Sequence, residues 1–223
     1  MTHGLFITFE GPEGSGKSTH AHRVAERLTA CGYEVVPARE PGGTPTGEAI
    51  REILQHDAAG EPVAPQTELL LFASSRAQLV QRVIKPALAR GAIVICDRFA
   101  DSTTAYQGYG RGFDVERVLS LNDWATGRVV PDVTLLMDLD VALGFERIHQ
   151  RNLEAGHGED RFERETLEFH QRVRDGYLAL AARWPERFRI IPSDQPVSVV
   201  QAAAWDAIAG LLPALPEGGR HEG

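Results

Sequence analysis

Only two of the 223 residues are cysteine, Cys31 and Cys96. They form no C-x-x-C and no metal-ligand spacing, which excludes a disulfide framework and a cysteine-built zinc site. No apolar run approaches eighteen residues, so no membrane-spanning helix is expected. The first residues carry no charged-then-apolar leader pattern, and with so little cysteine the expected compartment is a reducing cytoplasm. A basic excess is also missing: 23 Lys and Arg stand against 31 Asp and Glu, a net charge of −8. That argues against a sequence-independent nucleic-acid binder, which needs a basic face. There is no internal repeat and no N-K-x-D, the guanine-reading signature of a switch GTPase. The 43% apolar and 24% charged shares are ordinary for one soluble α/β domain of this length.

What is present is a strand running into a phosphate cradle. Leu5 to Phe9 alternates as a strand, and Gly11, Gly16, Lys17 and Ser18 fit G-x-x-x-x-G-K-[ST]. Such a turn presents successive backbone N–H groups to a polyphosphate, and the helix beginning there adds its free N–H groups and positive dipole end. Lys17 is placed to reach the β- and γ-phosphates and Ser18 to ligate Mg²⁺. A glycine turn that merely joins strand to helix is the alternative.

The helix is expected from Lys17 to Ala30, stopping at Cys31-Gly32. A short strand segment, Tyr33 to Arg39, leads into Pro-Gly-Gly and a helix from about Gly47 to His56, capped by Thr44 or Thr46. Gln66 to Arg90 has helical periodicity, kinked or divided at Pro86. Ala92 to Cys96 is continuously apolar, as in a buried parallel strand, and ends in Asp97-Arg98. Asp101 to Phe113, polar and glycine-rich, reads as a flexible loop. Further on are a helix over Val115 to Thr126, a strand over Val133 to Asp138, and a helix over Val141 to Asn152. A charged loop follows to Asp160, then a helix over Phe162 to Trp184, a strand over Phe188 to Ile191 and a helix over Val197 to Leu212. The tail from Pro213 is expected to be disordered. Five strands alternating with helices predict a five-stranded parallel sheet covered on both faces.

A phosphate cradle leaves three classes open: kinase, switch GTPase, and motor or ATPase. Asp97, ending a buried strand, has the position of a magnesium-side carboxylate. Arg98 beside it suits a second phosphate-bearing substrate, although a strand-end ion pair fits equally. Phe72 and Arg76, four residues apart, share a helical face and suit a base's ring and edge; a core ring is the other reading of Phe72. Arg147, Arg151 and Arg161 flank a loop able to close over phosphates, and also fit a solvated face.

Seven stretches then match a known family in order: Phe9–Thr19, Arg39–Thr44, Phe72–Arg76, Val83–Leu88, Asp97-Arg98, Ser102–Gly108 and Asp160–Glu163. The chain resembles bacterial thymidylate kinases to about Leu212. The resemblance implies one P-loop kinase domain over residues 1–212, with a lid over about 147–161. It implies a cytoplasmic homodimer that transfers the γ-phosphoryl group of MgATP to dTMP, giving ADP and dTDP, with no nucleic-acid or membrane partner. It places Gly11, Pro12, Glu13, Gly14, Ser15, Gly16, Lys17, Ser18 and Thr19 around ATP, with Ser18 and Asp97 at the metal. Pro12 stands where the family has a small residue. On the acceptor side it places Glu13 near the 3′-hydroxyl and phosphate, and Arg39, Glu40 and Arg98 around that phosphate. Phe72 would stack on thymine and Arg76 would read its edge. Tyr106 would pack on the deoxyribose, with Ser102, Thr103 or Thr104, and Gln107 in the same segment. Since the loop holds no arginine, Arg151 would meet the transferring charge with help from Arg147. Catalysis is assigned to Glu13, Lys17, Arg98 and Arg151. A P-loop kinase for another acceptor, such as dUMP or a deoxynucleoside, and a non-catalytic nucleotide binder remain as alternatives.

Overall fold

A computed structural model describes residues 4–55, 60–156 and 160–214. Five strands lie in order: β1 (Phe6–Glu10), β2 (Val35–Arg39), β3 (Ile93–Asp97), β4 (Val133–Asp138) and β5 (Phe188–Pro192). They form one all-parallel sheet ordered β2-β3-β1-β4-β5. The chain therefore leaves β1 toward one edge and later returns to its other side. The crevice beyond the carboxyl ends of β1, β3 and β4 lies at that reversal, where open α/β sheets bind ligands.

Alternation along β1 feeds both faces of the sheet. Ile7 and Phe9 join Val24 and Leu28 of α1 (Lys17–Ala30) and Ala204 and Ile208 of α9 (Val197–Ala209). Phe6 joins Leu79, Ile84, Val94 and Phe99 on the opposite face. That face is covered by α3 (Pro65–Leu79), a π-helical turn (Val80–Ile84), α4 (Lys85–Ala89) and, further along, α8 (Leu167–Arg183). Pro86 stands at the second position of α4, where its missing N–H leaves no helical bond unmade. The long apolar pattern is not divided there: the helical run continues from α3 through α4, with the π-helical turn standing just before the proline.

The expected flexible loop at Asp101–Phe113 is not one. Ala100–Thr103 is a short helix, α5, and Thr104–Gly110 is a π-helical segment with six of its seven residues buried against α8. The glycines that suggested flexibility permit close packing. A Cβ on Gly110 would stand 2.7 Å from the Phe169 ring, and one on Gly176 of α8 would stand 2.7 Å from the Tyr109 ring.

Other departures are smaller. The last long helix starts at Leu167 rather than Phe162, because the Thr166 side chain caps it by accepting from the Phe169 N–H. Helix α7 (Val141–Ala155) runs past Asn152. Helix α9 stops at Ala209, short of Leu212. Helix α2 (Pro45–Gln55) begins two residues early, and Thr44 caps it by accepting from the Gly47 N–H at 3.0 Å. His56, part of the expected lid (157–159) and most of the expected disordered tail (215–223) lie outside the described residues. Helix α6 (Val115–Thr126) and β4 have the expected bounds.

Gly176→Val is expected to destabilise the fold by about 1–3 kcal/mol, since the added carbons drive into Tyr109. Urea unfolding measures this; an unchanged midpoint would show that the π-helical segment yields freely.

Candidate active site

The phosphate loop is wedged between β4 and α7. Gly11 has φ +141°, and a Cβ there would lie 2.3 Å from the Met137 carbonyl oxygen. Gly14 has φ +72°, and a Cβ there would lie 2.2 Å from the Gly144 carbonyl oxygen. Both positions therefore need glycine on conformational and steric grounds. Pro12 contributes no N–H, but its carbonyl accepts from Lys17 Nζ at 2.7 Å and from the Ser15 hydroxyl at 2.8 Å. Lys17 is thus folded across its own loop, a contact that an anion would replace. Burial and the nearby Arg98 charge pull its pKa down to about 8, against the carboxylates of Glu13, Asp97 and Glu10.

The Ser18 hydroxyl donates to the Asp97 carboxylate at the end of β3. These are hard oxygen donors beside the phosphate cradle. Among the described residues no group of three or more His, Cys, Asp or Glu could hold a metal. A single carboxylate and one hydroxyl suit Mg²⁺, which keeps its waters and draws further ligands from substrate phosphates. The residues fit that ion.

Arg98 bridges the two sides of the crevice. It is a non-glycine residue at φ +65°. Its Nη2 donates to Glu13 at 2.6 Å and to the Tyr106 hydroxyl at 3.2 Å, and Nη1 donates to the Gly11 carbonyl at 3.3 Å. Tyr106 in turn donates to Glu13 at 2.7 Å. Burial alone would raise the Glu13 carboxyl; Arg98, Lys17 and the Tyr106 hydroxyl outweigh it and hold its pKa down at about 2. Glu13 is therefore ionised across the working pH range and keeps Arg98 extended.

Arg76 is fully buried, and its guanidinium is already largely engaged. It donates to Glu40 from Nε at 2.8 Å, to Asn122 from Nη1 at 2.7 Å and to Thr103 from Nη2 at 2.7 Å. Nη2 also reaches the Phe99 carbonyl at 3.3 Å. That leaves one Nη1–H without a protein acceptor among the described residues. Burial lifts the Glu40 carboxyl to about 7 despite Arg76, and its Oε1 has no hydrogen-bond partner among the described residues. Of the two threonines, Thr103 lines the cavity with its hydroxyl on Arg76, while Thr104 turns to the Ala100 carbonyl and Asn122. Gln107 is held by Glu68 at 2.8 Å. The Phe72 ring lies 5.8 Å from Phe162, tilted.

At the rim, Arg151 donates to Glu163 at 2.6 Å with its side chain 61% exposed, and Arg147 donates to the Ser193 carbonyl at 2.9 Å. Arg39 pairs with Glu48 at 2.7 Å. All these groups open onto one cavity of about 590 Å³. Of the candidate site residues singled out in the sequence, Gly11, Pro12, Ser15, Thr104 and Arg161 stand outside that lining and the rest form it; Arg161 instead donates to the Leu54 carbonyl and to Glu68. Arg51, Gln55 and Phe162 also line it and were not anticipated. Arg51 sits on α2 in a pattern that reads as any solvated helix face. Two buried groups behind the wall, Glu10 and Tyr177, were missed as well. The signal for Glu10 was a charge ending an apolar strand.

Lys17 is protonated below about pH 8 and must carry its charge to hold an anion. Tripolyphosphate affinity is expected to fall about tenfold from pH 7 to pH 9. Calorimetric titration at both pH values measures this, and equal affinities would contradict the depressed lysine.

Comparison with known proteins identifies the family. The thymidylate kinase family model matches residues 9–204. The thymidylate kinase of Geobacter sp. strain M21 is 49% identical over 221 residues, covering 98% of this chain and 97% of the relative. That of Geotalea uraniireducens strain Rf4 is 50% identical over 210 residues, covering 94% and 98%. The crystal structure of thymidylate kinase from Ehrlichia chaffeensis superposes with a TM-score of 0.74 at 37% identity, covering 93% of this chain and 99% of that one. The chain belongs to the thymidylate kinase family.

Proposed function

We propose that the protein transfers the γ-phosphoryl group of MgATP to the phosphate of dTMP, giving ADP and dTDP. The single observation that carries this reading is the joint placement of two binding arms on one cavity. The phosphate loop with Lys17 and Ser18 forms one, and the Glu13–Arg98–Tyr106 cluster with Phe72, Thr103 and Arg76 forms the other. The P-loop arm suits a nucleoside triphosphate. The other suits a nucleoside monophosphate: a cation for the phosphate, a tyrosine for the sugar, and a ring and an N–H for the base.

The nucleophile is a phosphate oxygen with a second pKa near 6, already largely ionised at neutral pH. No strong base is needed, and rate comes from positioning and charge neutralisation. Ser18 and Asp97 would hold Mg²⁺, which supplies positive charge to the β- and γ-phosphates. Lys17 leaves the Pro12 carbonyl for the donor phosphates. Arg98, kept extended by Glu13, meets the acceptor phosphate together with Arg39, and Glu40 approaches the same phosphate as the protonated acid that its burial favours. Tyr106, held between Arg98 and Glu13, crowds the sugar and excludes a 2′-hydroxyl. Arg151 exchanges Glu163 for the transferring group as the lid closes, with Arg147 alongside.

The homodimer implied by the resemblance belongs to the same proposal; Leu70 of α3 and Trp124 of α6 are exposed apolar side chains that suit its interface. Among the described residues no helix is long and apolar enough to cross a membrane.

Phe72→Ala is expected to raise the KM for dTMP about ten- to hundredfold through lost base stacking. The KM for ATP should stay within about twofold. Steady-state ADP release measures both; a loss confined to ATP would remove Phe72 from the acceptor site.

A further inference from the structure

We propose that Glu10, which does not line the cavity, is a positioning residue for phosphoryl transfer, acting on Arg98 through Ser102 and Tyr177. The inference rests on the kinase reading above.

Glu10 ends β1 on the same face as Phe6 and Thr8 and is fully buried. Its Oε1 accepts from the Phe99 N–H at 2.7 Å and from the Ser102 N–H at 3.3 Å. Its Oε2 accepts from the Ser102 hydroxyl at 2.6 Å and from the Tyr177 hydroxyl at 3.1 Å. Two chain segments converge on it, one carrying Arg98 and the other α8. The same two hydroxyls accept from Arg98 Nη1, at 3.3 Å from Ser102 and 3.2 Å from Tyr177. The carboxylate therefore sits one hydrogen bond behind the guanidinium.

It also holds the backbone. Arg98 adopts φ +65°, a strained conformation for a residue with a Cβ. The next amide, Phe99 N–H, is tied to Glu10, while the Arg98 N–H is tied to the Phe9 carbonyl at 3.0 Å. Adjacent residues of β1 thus fix adjacent amides of the turn.

Packing does not account for this carboxylate. A buried charge is costly unless paired. Among the described residues Glu10 has no ion pair, and the neighbouring Asp101 is taken up by Arg187 at 2.6 Å. Burial, with Asp101 adding, pushes the Glu10 carboxyl up to about 7. What the costly group does here is orient donors. With both Glu10 oxygens accepting, the Ser102 hydroxyl spends its proton on Glu10, Tyr177 shares its proton between Glu10 and the Ser102 oxygen 2.7 Å away, and both hydroxyl oxygens present lone pairs to Arg98. An amide at this position can accept on one side only, so either the two hydroxyls or the Phe99 and Ser102 N–H groups lose their acceptor, and the support of Arg98 is disturbed in both cases.

The test is a double-mutant cycle between Glu10→Gln and Arg98→Lys, read as kcat/KM for dTMP, KM for ATP and melting temperature. Glu10→Gln is expected to lower kcat/KM for dTMP about tenfold, leave the KM for ATP within about twofold, and add less than about twofold to the loss in the Arg98→Lys background. Wild-type kcat/KM in Glu10→Gln, or losses that multiply in the double variant, would overturn the proposal, since a purely structural defect acts in either background. If Glu10→Gln does not fold, Tyr177→Phe takes its place in the cycle. It keeps the ring and removes only the shared hydroxyl; a loss of about threefold that disappears beside Arg98→Lys supports the link, and a multiplying or absent loss refutes it. A wild-type protein without dTMP-dependent turnover would instead overturn the kinase reading itself.

Discussion

The Arg98 side chain reaches back from the end of β3 to Glu13 in the phosphate loop, closing to 2.6 Å across the carboxyl edge of the sheet. Much of the cavity depends on this one pair. It fixes a cation between the donor and acceptor halves and anchors the Tyr106 hydroxyl. It also keeps Glu13 ionised in a buried setting that would otherwise protonate it. β1 and β3 are adjacent and parallel, with Phe9 opposite Asp97. A residue one step past β3 and a residue three past β1 can therefore meet only because the sheet places both strand ends at the same height.

Around that pair the protein solves a charge problem. The proposed pairing of a nucleoside triphosphate with a nucleoside monophosphate needs several cations, and cations packed together repel. Each arginine here is held by its own acceptor: Arg39 by Glu48, Arg98 by Glu13, Arg151 by Glu163, and Arg147 by a backbone carbonyl. Lys17, like Arg147, is held by a backbone carbonyl, that of Pro12, and burial with the nearby Arg98 charge lowers its pKa. Arg76 differs from the others. Its guanidinium is locked on several sides in a dry pocket, so it serves as a fixed wall with one donor to spend. The positions of Arg98 and Arg76 are set before any ligand arrives, which is how electrostatic preorganisation lowers a barrier without reorganisation during the reaction.

The sequence made the sheet and the cradle legible because their signals are local. Lys17–Ala30 and Val115–Thr126 end where their glycines stand, and the apolar runs at Ile93 and Val133 are unbroken. The stretch Ser102–Gly110 was not legible. Its glycines look like loop residues until Phe169 and Gly176, more than fifty residues later, are brought against it. Glu10 poses the same difficulty: its donors come from residues 99, 102 and 177. Arg51 lies on a helix whose pattern gives no sign that this face turns toward a cavity. Most cavity residues carried over from the family resemblance do meet in one place, while Arg76 proves more deeply committed to protein partners than a base-edge reader need be.

The most direct test of the account is acceptor-dependent ADP release with MgATP, comparing dTMP, dUMP, dCMP, dGMP, the ribose form of TMP, thymidine and no acceptor. The account predicts fast turnover with dTMP, little with the ribose form because Tyr106 crowds the sugar, and none with thymidine, which lacks the phosphate that Arg98 meets. Preference for another monophosphate would contradict the base pocket, and absence of any acceptor-dependent turnover would contradict the assignment of the whole cavity to phosphoryl transfer.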